Sequence, residues 1–138
     1  MRYLLDTNVI SELQKSNCNQ SVKSFTDQLV WDEIFLPSIS IGELCYGVEK
    51  LPAGKKKHDL AIWVYTKVPE WFSGRIVDID TEIMMEWGKM RARTGRTLPV
   101  VDSMIAAIAI THHMFLVTRN VKDFDDIEGI NIINPWEF

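Results

Sequence analysis

Along this chain, short apolar runs alternate with longer stretches in which apolar residues recur at helical spacing. Tyr3-Leu4-Leu5 reads as a buried strand over residues 2–5, and Val9, Ile10 and Leu13 continue as a helix over residues 7–15. Ser16 to Gln20 reads as a loop, and residues 21–31 as a helix with Phe25 and Leu29 on one face. Ile34-Phe35-Leu36 is a second strand, stopped by Pro37. From Ser38 to Lys50, the spacing of Ile41, Leu44, Cys45 and Val48 predicts a helix, which Leu51-Pro52-Ala53-Gly54 breaks. Lys55-Lys56-Lys57 reads as an exposed loop, before Leu60, Val64, Val68 and Trp71 mark a further helix ended by Ser73-Gly74. Residues 75–79 form a third strand. Asp80 caps a helix that runs to about Thr94, with Gly95 as its stop. Pro99 precedes a helix from about Val101 to His113; residues 115–117 and 130–133 complete the strands. Strands alternating with helices predict an α/β fold, a single-domain α/β/α sandwich over residues 1–138. Its central, mainly parallel sheet is expected to have about four to five strands.

Composition narrows the function classes. With 138 residues there is room for one domain with a substantial core. Hydrophobic residues make up 46% and charged ones 25%, the balance of a soluble globular protein. Met104 to Ile110 is the longest uncharged apolar stretch, too short to cross a bilayer, and no secretory signal opens the chain. No membrane partner is expected. Cys18 and Cys45 lack a CxxC spacing, which fits a reduced cytoplasmic setting and speaks against zinc. The net charge of −4 means that any polyanion would have to meet a local basic patch.

The polar residues of interest are four acids at the ends of elements. Asp6 stands where the first strand hands over to a helix, the place where open parallel sheets bind ligands; it could equally cap that helix. Glu43 follows Ser40 in a capping-box spacing and points away from the apolar stripe. Gly42 and Gly47 nevertheless strip bulk from beside it, as a cleft wall would require. Asp102 could complement a helix dipole, yet the helix it opens is apolar all round, so a charge at its mouth calls for a partner or a metal. Asp123 belongs to an acidic run with Asp125, Asp126 and Glu128, which alone reads as a solvated loop. What lifts it is the order of apolar strand, Thr118, Asn120, Asp123 and the anchor Phe124.

If these acids converge, two carboxylates about 4 Å apart would repel by roughly 4 kcal/mol, about three pKa units. Such a cluster protonates or recruits a cation. Oxygen-only ligands suit Mg2+ or Mn2+, and the chemistry that follows is metal-assisted phosphodiester hydrolysis.

In this order the motifs resemble the PIN-domain ribonucleases, most closely the VapC-type toxins of bacterial toxin–antitoxin pairs. The match is carried by Leu4-Leu5-Asp6-Thr7-Asn8-Val9-Ile10-Ser11, by Pro37-Ser38-Ile39-Ser40-Ile41-Gly42-Glu43-Leu44 with Gly47, by Asp102 with Ile105-Ala106-Ala107, and by Val117-Thr118-Arg119-Asn120 with Asp123-Phe124. The resemblance implies that Asp6, Glu43, Asp102 and Asp123 form an acidic site for Mg2+ or Mn2+, with Thr7, Thr118 and Asn120 as supporting polar positions. The fourth acid varies among family members. The resemblance further implies an endoribonuclease that acts on RNA, a homodimer, and a cognate antitoxin that blocks the site and reads operator DNA for the pair. Trp31, Trp63 and Trp71 offer apolar surface for such contacts, although core positions are the expectation for them.

A basic segment, Lys89, Arg91, Arg93 and Arg96, leads to Asp102, with Lys89, Arg93 and Arg96 expected on one helical face. Arg93 and Arg96 are the candidate contacts to the RNA backbone, against the alternative of a solvated helix face. His112 and His113 lie at the far end of the Asp102 helix, roughly 15 Å away, too far to serve as a general base. Two rival readings remain: an aspartyl-phosphate phosphotransferase or phosphatase with Asp6 as nucleophile, and a non-catalytic RNA- or protein-binding module on the same fold. Position 8 is Asn where a DxD motif needs Asp, which disfavours the first.

Overall fold

The computed structural model describes residues 1–138. Five short strands make one sheet: β1 (Tyr3–Leu5), β2 (Ile34–Pro37), β3 (Ile76–Val77), β4 (Phe115–Val117) and β5 (Asn131–Ile133). Their order is β3-β2-β1-β4-β5, and every pair is parallel. Tyr3 pairs with Ile34 on one side and with Phe115 on the other. The chain therefore lays its strands outward from β1 in one direction, then crosses over and fills the other side. That reversal puts the topological switch point at the carboxyl end of β1, where the next residue is Asp6.

The helices are α1 (Thr7–Leu13), α2 (Gln20–Asp27), α3 (Ser38–Glu49), α4 (Lys55–Ile62), α5 (Val68–Trp71), α6 (Thr81–Thr94) and α7 (Val100–Thr111). They cover both faces of the sheet, and β1 shows why. Successive strand residues point to opposite faces. Leu4 joins a core with Leu116, Ile83, Met90, Phe124 and the buried run Ile105–Ala109. Leu5 joins the opposite core with Val9, Ile34, Leu36, Val48, Val64, Phe72 and Val117. Both leucines are fully buried, and each contributes roughly 1.5–3 kcal/mol of transfer free energy. The two cores make the layers of an α/β/α sandwich, as the sequence pattern predicts. The alanines of α7 let that helix lie close on the sheet; α6 and α7 pack side by side.

Several boundaries differ from the sequence reading. Asn19, inside the expected loop, is the cap of α2, its side chain accepting from the Ser21 and Val22 amides. That helix stops at Asp27 rather than residue 31. Lys55-Lys56-Lys57 is the first turn of α4, not a loop. Three cations at the positive end of a helix dipole oppose the usual charge preference and hide the start. The helical run then continues through a π turn, Trp63–Lys67, into α5. The third strand contracts to two residues. Gly95 does end α6, at φ 75°, the left-handed conformation that favours glycine. Both cysteines are free thiols. No helix is long and apolar enough to cross a membrane.

Candidate active site

Asp6 is the N-cap of α1 and is 4% exposed, the one buried carboxylate of the chain. Its own amide donates to the Val117 carbonyl, so the sheet's hydrogen bonding runs on to the residue itself. Its Oδ1 accepts from the Thr7 amide at 2.7 Å and its Oδ2 from the Thr118 hydroxyl at 2.7 Å. Asn8 adds a longer bond to Oδ2, at 3.3 Å. Burial raises the Asp6 pKa above the ordinary carboxylate value, while the Thr118 hydroxyl and the Thr7 amide pull it back. Asp6 is thus both the cap of α1 and a buried carboxylate at the switch point of the sheet.

Glu43 departs from the capping-box expectation. Helix α3 begins at Ser38, directly after its N-cap Pro37, so Ser40 already lies inside the first turn. Ser40 is fully buried and shares a 2.8 Å bond with the Thr7 hydroxyl. Glu43 is exposed, yet its Oε1 lies 2.5 Å from the same Thr7 hydroxyl. Thr7 therefore connects both acids, through its amide to Asp6 and through its side chain to Glu43. A Cβ placed on Gly42 or Gly47 would meet nothing within 4 Å, so the space beside Glu43 is open. Gly47 and Glu43 line a small pocket with Thr7, Ser11 and Trp63.

Asp102 occupies the first turn of α7, half-buried. Its pKa is pushed up to about 6, by desolvation first and then by the negative charges of Asp6, Asp123 and Glu43. Asp123 ends a short 3-10 turn, Val121–Asp123, and is exposed, with Phe124 fully buried beneath it as anchor. Asp102 therefore lies near enough to the other three acids, brought from distant parts of the chain, to be repelled by their charges. No three of the chain's His, Cys, Asp or Glu side chains stand close enough to hold an ion as they are. As placed, the four acids surround one space without closing on a single point.

Of the three candidate supporting residues, Thr7 and Thr118 hydrogen-bond Asp6 directly. Asn120 contributes only its backbone, its amide donating to the Thr118 hydroxyl at 3.1 Å, while the residue itself is exposed. Asn8 and Ser40 were not anticipated as site residues. Asn8 donates to Asp6 and accepts from the Arg119 amide at 3.3 Å, joining the loops after β1 and β4. Its signal was a place two residues after Asp6; that of Ser40 was a place one helical turn before Glu43.

The basic segment also differs. Arg96 lies past the end of α6, so it shares no helical face with Lys89 and Arg93. Its guanidinium is engaged by Asp126 at 2.7 and 2.8 Å and by the Asp123 carbonyl at 2.9 Å. Arg93 is exposed and paired with Glu86 at 3.0 Å; Arg91 stacks 4.3 Å over the Trp87 ring.

Trp31 and Trp71 are not core, whereas Trp63 is half-buried against the Leu5 core. Trp31 and Trp71 are each 45% exposed, and both, with Trp63, line a groove of about 870 Å³ between α1, α2 and α4. Ile10, Leu13, Leu29 and Leu60 supply the rest of its apolar wall. Trp63 belongs also to the pocket beside Glu43, so the groove adjoins that pocket. Spacing alone cannot separate a groove wall from a core, since both are apolar stripes.

The comparisons with known proteins agree with this architecture. The chain is 31% identical to the VapC ribonuclease Y4jK of Sinorhizobium fredii, covering 97% of each chain. It is 34% identical to the toxin FitB of Neisseria gonorrhoeae, over 96% of this chain and 97% of that one. A solved structure of FitAB bound to an IR36 DNA fragment superposes with a TM-score of 0.91 at 32% identity, covering 99% of this chain and 96% of that chain. The PIN domain model matches residues 3–130, a span that holds all four acids, both threonines and every strand but the last. By this match and by its two closely covered relatives, the chain belongs to the PIN domain family.

Proposed function

We propose that this protein is a Mg2+- or Mn2+-dependent endoribonuclease and the toxin half of a toxin–antitoxin pair. The observation that carries this reading is the placement of Asp6, Glu43 and Asp123 around half-buried Asp102 at the switch point of the sheet, where burial first and then the charges of those three raise the Asp102 pKa to about 6. Two relatives named a VapC ribonuclease and the toxin FitB support the reaction class and the biological role.

The donor set suits a hard divalent cation: it is all oxygen, anionic and held in reserve by its own repulsion. Asp6 and Asp102 are the fixed ligands. Thr7, Asn8 and Thr118 set the orientation of the Asp6 oxygens, and the backbone of α7 sets Asp102. Glu43 and Asp123 are exposed side chains on fixed backbones, able to rotate inward and complete the set. When bound, the cation would lower the pKa of a water and offset charge on the phosphoryl group. The open space beside Gly42 and Gly47 would admit the strand, and Arg93, whose single exposed pairing is with Glu86, would exchange it for the RNA backbone.

Asp6 is a poor nucleophile for the phosphotransfer alternative. Both its oxygens already accept short hydrogen bonds, and it is almost wholly buried. A pure binding module would have no use for an acid cluster at the cost of mutual repulsion.

The same reading assigns the tryptophan-lined groove to a segment of the antitoxin, which would run from the groove to the acids and close them. On this reading the toxin would be a homodimer and would reach operator DNA through the antitoxin; a relative solved as FitAB bound to a DNA fragment supports the antitoxin partner. The test is to map RNA 5′ ends in cells expressing the wild type against an Asp102→Asn variant. New ends with the wild type alone are expected. Growth arrest by both alike would overturn the reading.

A further inference from the structure

We infer that Arg96 is a positioning residue for Asp123 and not a contact to an RNA phosphate. Its guanidinium ties the turn carrying Asp123 to the segment that leads into Asp102. The inference rests on the nuclease reading above and goes beyond it by assigning Arg96 and Asp126.

The geometry is that of a fork. Nε donates to Asp126 Oδ2 at 2.7 Å, and Nη2 donates to Asp126 Oδ1 at 2.8 Å. The same Nη2 reaches the Asp123 carbonyl at 2.9 Å. Two parallel bonds to one carboxylate fix the plane of the guanidinium, and the third bond then fixes the Asp123 peptide against it. Arg96 directly follows the left-handed Gly95, and Leu98, two residues on, is buried in the core.

Asp123 needs such a tie. Its side chain makes no hydrogen bond within the protein and is exposed, so only its backbone determines where its carboxylate can go. The turn is held from inside by buried Phe124 and by the Asp123 amide on the Asn120 carbonyl. Arg96 holds it from outside. An arginine engaged in this way would have to release Asp126 before it could pair with a phosphate. The assignment also separates the acids of the run: the carboxylate of Asp126 is taken by Arg96, and that of Asp123 remains free for the site.

The pair is solvent-accessible, with side chains 37% and 46% exposed, so its removal is expected to cost little stability, which the thermal melt verifies for each variant. This makes a clean experiment on the full chain. Arg96→Ala, Asp126→Asn and the exchange Arg96→Asp/Asp126→Arg are compared with wild type in two binding measurements and a thermal melt. Mn2+ affinity is titrated by the loss of the free-ion electron paramagnetic resonance signal, without RNA. Binding of a fluorescent single-stranded RNA is followed by anisotropy in EDTA. Arg96→Ala and Asp126→Asn are each expected to weaken Mn2+ binding by roughly 10-fold, as other supports of metal ligands do. The exchange recovers part of that loss, and RNA affinity in EDTA is unchanged throughout. Weakened RNA binding in EDTA by Arg96→Ala but not by Asp126→Asn overturns the inference in favour of a phosphate contact. A wild type that binds Mn2+, with single variants that bind it equally well, overturns the inference alone. A wild type that binds no Mn2+ overturns the metal-nuclease reading and this inference with it.

Discussion

The Thr118 hydroxyl donates a 2.7 Å hydrogen bond to Asp6 Oδ2, joining the ends of β4 and β1 across 112 positions of sequence. Both partners are buried, and the bond works against the desolvation that raises the Asp6 pKa. A hydrogen bond to a buried charge contributes about 2 kcal/mol, and its loss leaves that charge less well solvated. Thr118→Val should therefore lower stability at neutral pH by about 2 kcal/mol. Urea unfolding of wild type and variant, without divalent cation, measures it.

Asp102 gives a pH dependence with a defined sign. Its folded pKa of about 6 stands above the ordinary 3.8, so the folded state holds the proton more tightly than the unfolded chain. The stability this confers is fully present below pH 3.8 and is lost as pH rises through about 6. Discounted for the solvent that reaches this half-buried group, it amounts to about 1 kcal/mol. The metal-free protein should lose that much between pH 4 and pH 7, and Asp102→Asn should remove most of the slope. Melting temperatures across this range decide the matter; a slope unchanged in the variant would count against the shared charge.

Divalent cation should reverse the same penalty. At about 100 times its dissociation constant, Mn2+ should stabilise the wild type by about 2.7 kcal/mol. Asp6→Asn and Asp102→Asn should each lose most of that gain, and EDTA should stop RNA cleavage by the wild type. Melting curves with and without Mn2+, run beside an RNA cleavage assay, test both halves.

The groove makes a separate prediction. Trp71 is 45% exposed, and its backbone carbonyl already accepts from the Trp31 indole at 3.2 Å, a bond that survives truncation of the side chain. Trp71→Ala should weaken the antitoxin complex by about 2 kcal/mol, as aromatic anchors at interface centres do, and leave cleavage of RNA by the free toxin as it was. Calorimetric titration of the antitoxin and a cleavage assay separate the two effects.

How much was legible in the sequence follows the range of each interaction. Leu4 and Leu5, Ile34 to Leu36 and the apolar run of α7 announce buried elements, because burial of a strand or an all-apolar helix leaves a local composition. Asp6 and Asp102 could be singled out because each is a charge at the mouth of something buried. Pro37 misled the reading of Ser40: a proline can itself stand at the cap, and the buried bond from Ser40 to Thr7 is made by two residues far apart in sequence. Arg96 misled for the same reason, since its partner Asp126 comes from a different loop. Trp31 and Trp71 line a cavity that exists only once three helices have met, and no periodicity within one helix records it.

The division of labour between Leu4 and Leu5 has a consequence for how this protein can change. Each residue of β1 is committed to its own side of the sheet, and Asp6 follows with no spacer. One codon gained or lost within that strand would trade the two leucines between layers and turn the carboxylate away from Thr118 in a single event. The first strand can therefore drift in side chain but not in register, and insertions are expected to be tolerated in the connections between elements instead.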